Sequence, residues 1–243
     1  MVETVNLILI SVSLGAFAIV PLIPFIRMIL NERTKPVISG IASFSIYGII
    51  LKNLVFFLIF LIPALKTSIT ENTLIYSLTV GVVSAFLHVL IRHIFNKKKE
   101  IKDIFSFSTG ESFIQCIYIG IPISLLSFVY ALVINLGGFE YIGITEKLIP
   151  IATSLINADF TEYLPYIVYP FYVFCQNWLT LSIFTRSRTL STIADAASLS
   201  IYSYLMLNRL FIMNSVFMAV FALVTLLIFI LLKVNNKNRK KAI

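Results

Sequence analysis

The sequence predicts an all-α fold, a polytopic membrane bundle of about seven transmembrane helices. Hydrophobic residues make up 59% of the 243 residues and charged residues only 12%, with a mean hydropathy of +0.97. A soluble domain carries about twice that fraction of charge, so a water-soluble globule of this size would lack the charges to cover its surface. Seven apolar segments also reach the roughly 20 residues that a helix needs to cross the hydrocarbon core.

Each apolar segment is expected to be a helix, because backbone groups that face lipid must be hydrogen-bonded within their own segment. Alternating ten-residue strand patterns do not occur in the sequence. The first segment has no basic flank before it and no small-residue cleavage site, which favours a membrane helix over a signal peptide. The predicted spans are 6–28, 37–63, 73–95, 104–134, 163–185, 189–207 and 210–232.

The predicted organisation is a bundle over residues 1–234 followed by a basic cytoplasmic tail over residues 235–243. The longest external connection runs from Gly137 to Glu162 and carries a short apolar stretch at Leu148–Ile156. A helix at this stretch is expected to lie on the outer interface of the membrane.

The lysines and arginines between the apolar segments predict the orientation of the bundle. One set of alternate loops, together with the C-terminal tail, holds fifteen of them, and the other set holds three. Because basic loops stay in the cytoplasm, we expect a multi-pass protein of the cell membrane with its N-terminus outside and its C-terminus inside. Topology thus accounts for the net charge of +8, so the expected partner is the lipid bilayer and no nucleic acid is expected.

Several polar residues lie inside the predicted spans, where ionisable groups are costly and a functional role is the default hypothesis. His88, Glu111, Asn177 and Asp195 each lie seven to nine residues from a cytoplasmic helix end. At 1.5 Å per residue this places all four roughly 10–14 Å inside the membrane boundary. We therefore expect them to share one polar layer.

Three interpretations of this layer remain open. A histidine and two carboxylates suit a divalent ion such as zinc, with His88, Glu111 and Asp195 as ligands and a water activated for hydrolysis. The layer can instead be a set of polar packing contacts between helices. The third interpretation is the path of a transported ligand.

Two basic residues have separate predictions. Lys52 lies near the middle of the second span, where a lysine must pair, extend to water or line a cavity. Asp195 and Glu111 are its possible partners. Arg92 is expected to lie with His93 at the membrane interface.

The order of these features resembles the YhfC family of intramembrane metalloproteases, which is distantly related to the PrsW proteases and to the seven-helix scaffold subunit of gamma-secretase. The resemblance extends over most of the chain. It rests on the stretch Pro21–Pro24, on Lys35-Pro36 at the start of the second span, on Lys102-Asp103 before a helix rich in small residues, and on Tyr130–Asn135.

Two motifs of that family are altered in this chain. The family's third helix carries Glu-Glu-x-x-Arg, and here His88 takes the place of the first glutamate while Arg92 is kept. The family's fourth helix carries Gly-His-Gly-Gly-x-Glu, and here Glu111 falls at the histidine and Gln115 at the glutamate. Later histidines of the family fall near Asn177 and Asp195.

The resemblance implies a degenerate, non-proteolytic member that binds a membrane peptide or a partner helix, with Lys52, Arg92, Gln115 and Asn177 as binding residues. The alternative is an active metal-dependent intramembrane protease with a rearranged site. Glu111 and His88 would then be catalytic, and zinc would be the cofactor. A small transporter or permease subunit is the remaining possibility, although the sequence shows no inverted repeat to support it.

Overall fold

The computed structural model describes residues 1–97, 101, 103–137 and 149–241, and every regular element in these ranges is helical. A short 3₁₀ turn at Phe160–Tyr163 precedes the seventh helix. In chain order the helices are α1 (Thr4–Leu30), α2 (Thr34–Phe60), α3 (Pro63–Thr70), α4 (Thr73–Lys97), α5 (Ile104–Gly137), α6 (Ile149–Ile156), α7 (Leu164–Phe184), α8 (Arg188–Leu207) and α9 (Phe211–Lys241).

The prediction of an all-helical membrane bundle is confirmed for six of its seven spans. In the described part of the chain, α1, α2, α4, α5, α7 and α9 are long and apolar enough to cross a membrane. The seventh predicted span is the 20-residue helix α8, which is not among the six. Its four serines, two threonines and Asp195 lower its hydropathy, so its crossing stays a prediction.

Two further predictions concern the connection before α7 and the C-terminus. A helix forms at the predicted stretch as α6, although Leu148 and residues 138–147 lie outside the described residues, and its position on the outer interface stays a prediction. Residues 235–241 of the predicted tail continue α9 as a helix. The charge count that predicts the orientation includes Lys98, Lys99, Lys102 and Lys147, which also lie outside the described residues, so the orientation stays a prediction.

One end of the bundle, called the basic end below, brings together the α1–α2 turn, the start of α5 and the α7–α8 turn. There Arg33 Nη1 donates to Asp103 Oδ2 at 2.7 Å, and Arg186 lines the same cavity as both residues. Asp103 also caps α5, because it accepts a bond from the backbone N–H of Ser106. Partial burial alone would raise the pKa of Asp103, but the bonds from Ser106 and the charge of Arg33 outweigh it and hold the pKa below its ordinary value.

The opposite end of the bundle is held together by contacts from the start of α1 to the end of α5 and to the segment before α7. The backbone N–H of Val2 donates to Asn135 Oδ1 at 2.7 Å, which joins the start of α1 to the end of α5. Asn6 Nδ2 donates to the carbonyl of Ala158 at 2.7 Å. Helices α1 and α5 therefore run antiparallel between the two ends.

Glycines let the helices that carry the polar layer approach to backbone contact. A Cβ built on Gly110 of α5 would lie 2.0 Å from the carbonyl oxygen of Val37 on α2. A Cβ on Gly81 of α4 would lie 2.6 Å from the carbonyl oxygen of Ala196 on α8. Small residues at a helix crossing allow such close packing, and these crossings bring α2 to α5 and α4 to α8 at the depth of the polar side chains.

Helices α2 and α5 each contain a π-helical segment, Ser45–Leu51 and Cys116–Gly120. The segment in α5 has a cause in the sequence, since Pro122 has no N–H to donate and its ring displaces the preceding turn. The N–H of Ile121 bonds to the carbonyl of Cys116, five residues back. The sequence predicts a kink at this proline, but no sequence signal marks the π segment in α2.

Candidate functional site

The predicted polar layer forms, and its members come from different helices. His88 on α4 lies between two carboxylates: its Nδ1 is 2.7 Å from Asp195 Oδ2 on α8, and its Nε2 is 3.1 Å from Glu111 Oε1 on α5. Ser43 on α2 donates to the same Glu111 oxygen at 2.8 Å. His88, Glu111 and Asp195 are at most 2% exposed, so the layer is a buried cluster that joins four helices.

Arg92 completes this cluster one turn further along α4. Its Nη2 and Nε donate to the two carboxylate oxygens of Glu111 at 2.5 and 3.3 Å, and its Nη1 donates to Thr180 Oγ1 at 2.8 Å. Arg92 is 0% exposed, so the prediction that it lies at the membrane interface is wrong. The paired charge of Glu111 and the additional hydrogen bonds offset the loss of water around the guanidinium group. His88, Arg92, Glu111 and Asp195 are called the charged cluster below.

The charged cluster is neutral as a whole. Each contact between the imidazole of His88 and a carboxylate is a hydrogen bond only when one proton lies between the two atoms. The two contacts therefore hold two protons. With these two protons, the imidazole of His88 and the carboxylates of Glu111 and Asp195 have a combined charge of −1, whichever atom of each contact carries the proton. Arg92 supplies one positive charge, because a guanidinium group keeps its proton in proteins. The cluster therefore needs no further ion for balance.

A second branch of polar side chains is made of amides on α5 and α7. Asn177 Nδ2 donates to Gln115 Oε1 at 3.2 Å, and Gln115 Nε2 donates to the hydroxyl of Tyr169 at 3.2 Å. Gln176 Nε2 donates to Asp195 Oδ1 at 2.7 Å. Gln176 therefore meets the charged cluster at Asp195, and the backbone carbonyl of Asn177 accepts a bond from Arg92 at 3.2 Å, so the amides and the charged cluster belong to one site.

A cavity of about 270 Å³, called the His88 cavity below, opens onto this site. The side chains of His88 and Asp195 line it, together with the amides of Gln115, Gln176 and Asn177. The ring of Tyr47 stacks on His88 with 4.0 Å between the ring centroids. Further aromatic rings in the lining are Phe44, Tyr118, Tyr169 and Tyr202.

Both π segments contribute to the wall of this cavity. The segment in α2 supplies Tyr47 and Gly48, and the segment in α5 supplies Tyr118 and Ile119. Such segments occur often at functional sites because they redirect side chains at the expense of regular hydrogen bonding. Their presence on two facing helices marks the His88 cavity as the candidate site of the protein.

Lys52 lies at the neck between the His88 cavity and a second cavity of about 450 Å³, called the vestibule below. The vestibule extends to Phe60 and Leu207, which are near the ends of α2 and α8 away from the basic end. Among the described residues the Lys52 ammonium group makes no hydrogen bond or ion pair. The partners considered from the sequence, Asp195 and Glu111, bond instead to the other members of the charged cluster.

An apolar layer separates the charged cluster from the basic end. Phe107 lies one turn before Glu111 on α5, and Leu181 directly follows Thr180 on α7. The cluster of buried side chains at this level is Ile101, Phe107, Leu181 and Phe184. The site is therefore closed toward the basic end and accessible through the vestibule.

His88 contacts both of the other predicted zinc ligands, Glu111 and Asp195, but the arrangement of the three does not fit one metal ion. Asp195 and Glu111 contact opposite edges of the imidazole ring of His88, so an ion at either ring nitrogen is adjacent to only one carboxylate. Within the described ranges no group of three His, Cys, Asp or Glu side chains has a metal-binding arrangement. Zinc binding and catalytic roles for Glu111 and His88 stay predictions.

The residues predicted to bind a ligand divide into two groups. Lys52, Gln115 and Asn177 line the His88 cavity, whereas Arg92 lies behind it. Sequence reasoning did not single out Ser43 or Thr180, because hydroxyl residues are common in membrane helices and these two carry no distinguishing pattern. It also missed Tyr47, whose position depends on the π segment of α2.

Comparisons of the chain with protein-family models, with curated proteins and with solved structures find no match. The resemblance to the YhfC family therefore stays a prediction. The fold and the geometry of the His88 cavity carry the functional argument.

Proposed function

We propose that this chain is a non-proteolytic membrane protein that binds a small anionic ligand in the His88 cavity. One observation carries the proposal. Lys52 holds an ammonium group at the neck of the cavity that makes no hydrogen bond or ion pair with a described residue, and the carboxylate that attracts it, Asp195, is already bonded within the balanced charged cluster.

The cost of an unpaired charge supports an anion at this position. A lysine near the centre of a membrane helix costs about 2.5–3.5 kcal/mol by insertion scales, and such residues commonly line cavities or pathways. An anionic group beside Lys52 supplies the missing negative charge in surroundings of low dielectric constant, where the attraction is stronger than in water. The amide and hydroxyl groups of the lining provide further hydrogen bonds to the ligand.

The volume of the cavity suits a small ligand. Ligand pockets typically measure about 300–1,000 Å³, and the His88 cavity lies near the lower limit at about 270 Å³. A small carboxylate, or a single acidic side chain of a membrane peptide, would occupy a cavity of this size.

The test compares carboxylates with uncharged molecules of the same shape. The protein is purified in an uncharged detergent, and its thermal unfolding is followed with benzoate or benzamide added. A ligand that binds only the folded state raises the unfolding temperature with concentration. We expect benzoate to raise it and benzamide to have no comparable effect, and we expect Lys52→Met to abolish the benzoate effect.

Lys66→Met is the matched control, since Lys66 lies on the exposed helix α3 and lines neither the His88 cavity nor the vestibule. It should retain the full benzoate effect. Equal stabilisation by benzoate and benzamide, or an unchanged response in Lys52→Met, would overturn the proposal.

The proteolytic alternative has its own measurement. A zinc-dependent enzyme would retain about one equivalent of zinc after purification, and His88→Ala or Glu111→Gln would remove it. Elemental analysis of the purified protein and of both variants distinguishes this outcome from anion binding, which requires no metal.

Transport is a second candidate function, favoured by the vestibule and by the π segments that line the site. A transporter must open the apolar layer at Phe107 and Leu181 during its cycle, and irregular helical segments accommodate such changes. Proteoliposomes that accumulate radiolabelled benzoate, with uptake lost in Lys52→Met, would identify a transporter. Binding without uptake would leave the ligand-binding protein as proposed.

A further inference from the structure

A furrow separate from the His88 cavity runs along the outside of the bundle between α5, α7 and α9. Its inner half is apolar, with a volume of about 530 Å³. Its outer half has a volume of about 740 Å³ and reaches Arg33 and Arg186 at the basic end. The inner half is lined mainly by Phe171, Phe174, Cys175, Ala219, Ala222 and Leu226.

Phe105 at the start of α5 joins the two halves, since it lines both. Its ring lies 5.5 Å from that of Phe174 in the inner half and 6.3 Å from that of Phe229 in the outer half. The two halves therefore adjoin at Phe105, and the lining changes from apolar on one side of this ring to basic on the other.

The furrow is long enough for a phospholipid of one membrane leaflet. On α7 its lining extends from Ile167 to Arg186, which is roughly 28 Å at 1.5 Å per residue. Half of the hydrocarbon core measures about 15 Å, and one headgroup layer adds about 5–7 Å. The furrow therefore has room for an acyl chain and its headgroup along one side of the bundle.

The charge at the outer half favours an anionic headgroup. Arg33 is already paired with Asp103, so these two charges cancel. Arg186 makes no side-chain hydrogen bond or ion pair with any residue that the structure describes. One uncompensated positive charge therefore remains beside the polar end of the groove.

We propose that this furrow is a binding site for an anionic phospholipid, with an acyl chain in the apolar half and the phosphate group beside Arg186. The proposal is independent of the ligand of the His88 cavity, because the two sites lie on different faces of α7. Basic pockets between membrane helices at an interface are typical sites for acidic headgroups.

The test uses two lipids that differ only in the headgroup. The delipidated protein in dodecyl maltoside is titrated with dioleoyl phosphatidylglycerol or dioleoyl phosphatidylcholine, and bound lipid is counted by native mass spectrometry. We expect phosphatidylglycerol to bind more tightly. Arg186→Gln should weaken its binding about fivefold, the effect of one basic residue near an anionic surface. Ala222→Phe, which fills the apolar half, should weaken both lipids.

Arg188→Gln is the matched control, since Arg188 is exposed nearby at the start of α8 but does not line the furrow. Arg188→Gln should change the affinity for phosphatidylglycerol by less than about twofold, which is a smaller effect than the loss of a basic residue that contacts the headgroup. Glycerol phosphate should not displace the lipid at millimolar concentration, because it lacks the acyl chain. The proposal would be overturned if the two lipids bound equally or if Arg186→Gln and Arg188→Gln caused equal losses. It would also be overturned if Ala222→Phe left lipid binding unchanged, or if a helix that copurifies with the protein excluded lipid.

Discussion

Arg92 and Lys52 are both cations inside the bundle, but their surroundings are opposite. Arg92 is 0% exposed and donates to Glu111, to Thr180 and to a backbone carbonyl on α7. Lys52 borders two cavities and has no partner among the described residues. Both residues lie in helices that meet around His88.

This difference separates a structural charge from an available one. A buried guanidinium group that donates four hydrogen bonds to its neighbours fixes the relative positions of α4, α5 and α7, and its charge is already paired with Glu111. An ammonium group that faces a cavity and makes no hydrogen bond or ion pair with a described residue is available to a ligand, even though Asp195 attracts it from within the charged cluster. The location of a charge inside a membrane bundle therefore does not indicate function until its partners are known.

The largest effect is expected from breaking the charged cluster. Arg92→Met leaves the carboxylate of Glu111 buried without its counter-charge, and removal of one partner of a buried pair costs about 3–5 kcal/mol. Reversible unfolding in mixed micelles measures the free energy. The double variant Arg92→Met, Glu111→Gln should recover part of the loss, and a fully additive loss would show that the two side chains do not interact.

Sequence reasoning located the polar layer but not its bonding. Helical rise from the predicted helix ends placed His88, Glu111 and Asp195 at a common depth, and the structure brings them into contact. Depth is set by position along one helix and is readable from one sequence. Pairing depends on which helix faces meet, and that is decided by crossings such as the one at Gly110.

The prediction for Arg92 was wrong for the same reason. Position along the chain places it near a helix end, where arginines normally reach the interface. Only the approach of α5 supplies the carboxylate that holds it inside. The all-helical fold and the extents of six spans needed no such tertiary information, because hydropathy and length decide them.

The next largest effect should come from the helix crossing that positions the cluster. A Cβ at Gly110 would lie 2.0 Å from the carbonyl oxygen of Val37, so Gly110→Ala must push α2 away from α5. Overpacking of this kind costs about 1–3 kcal/mol. Gly15→Ala is the control, since a Cβ there has nothing within 4 Å. It should be neutral or stabilise the helix by about 0.5–1 kcal/mol. Equal losses in both variants would rule out the crossing as the cause.

Lys52 provides the direct counterpart to Arg92. Lys52→Met removes a charge that makes no hydrogen bond or ion pair within the described part of the chain, and the burial of that charge is itself costly. The substitution should therefore lower the free energy of unfolding by no more than about 1 kcal/mol, and a larger change should be stabilising. The same unfolding experiment measures it. A loss as large as that of Arg92→Met would show that Lys52 has a structural partner and would end the distinction between the two cations.

The smallest effect should come from the ion pair between Arg33 and Asp103 at the basic end, which is partly exposed. Because the pKa of Asp103 is lowered in the folded protein, its contribution is complete above the ordinary aspartate pKa of about 3.9 and is lost as the pH falls through the folded value. Exposed pairs are worth about 0–1 kcal/mol.

Asp103→Asn isolates this contribution, because asparagine can still accept the capping bond from Ser106 but carries no charge. Unfolding temperatures at pH 7 and pH 3 should differ less in Asp103→Asn than in the unmodified protein. Arg33→Gln should show a smaller reduction, since the bonds from Ser106 remain. If the acid sensitivity of Asp103→Asn is undiminished, carboxylates other than Asp103 carry it, and the ion pair at the basic end contributes nothing measurable to the pH dependence of stability.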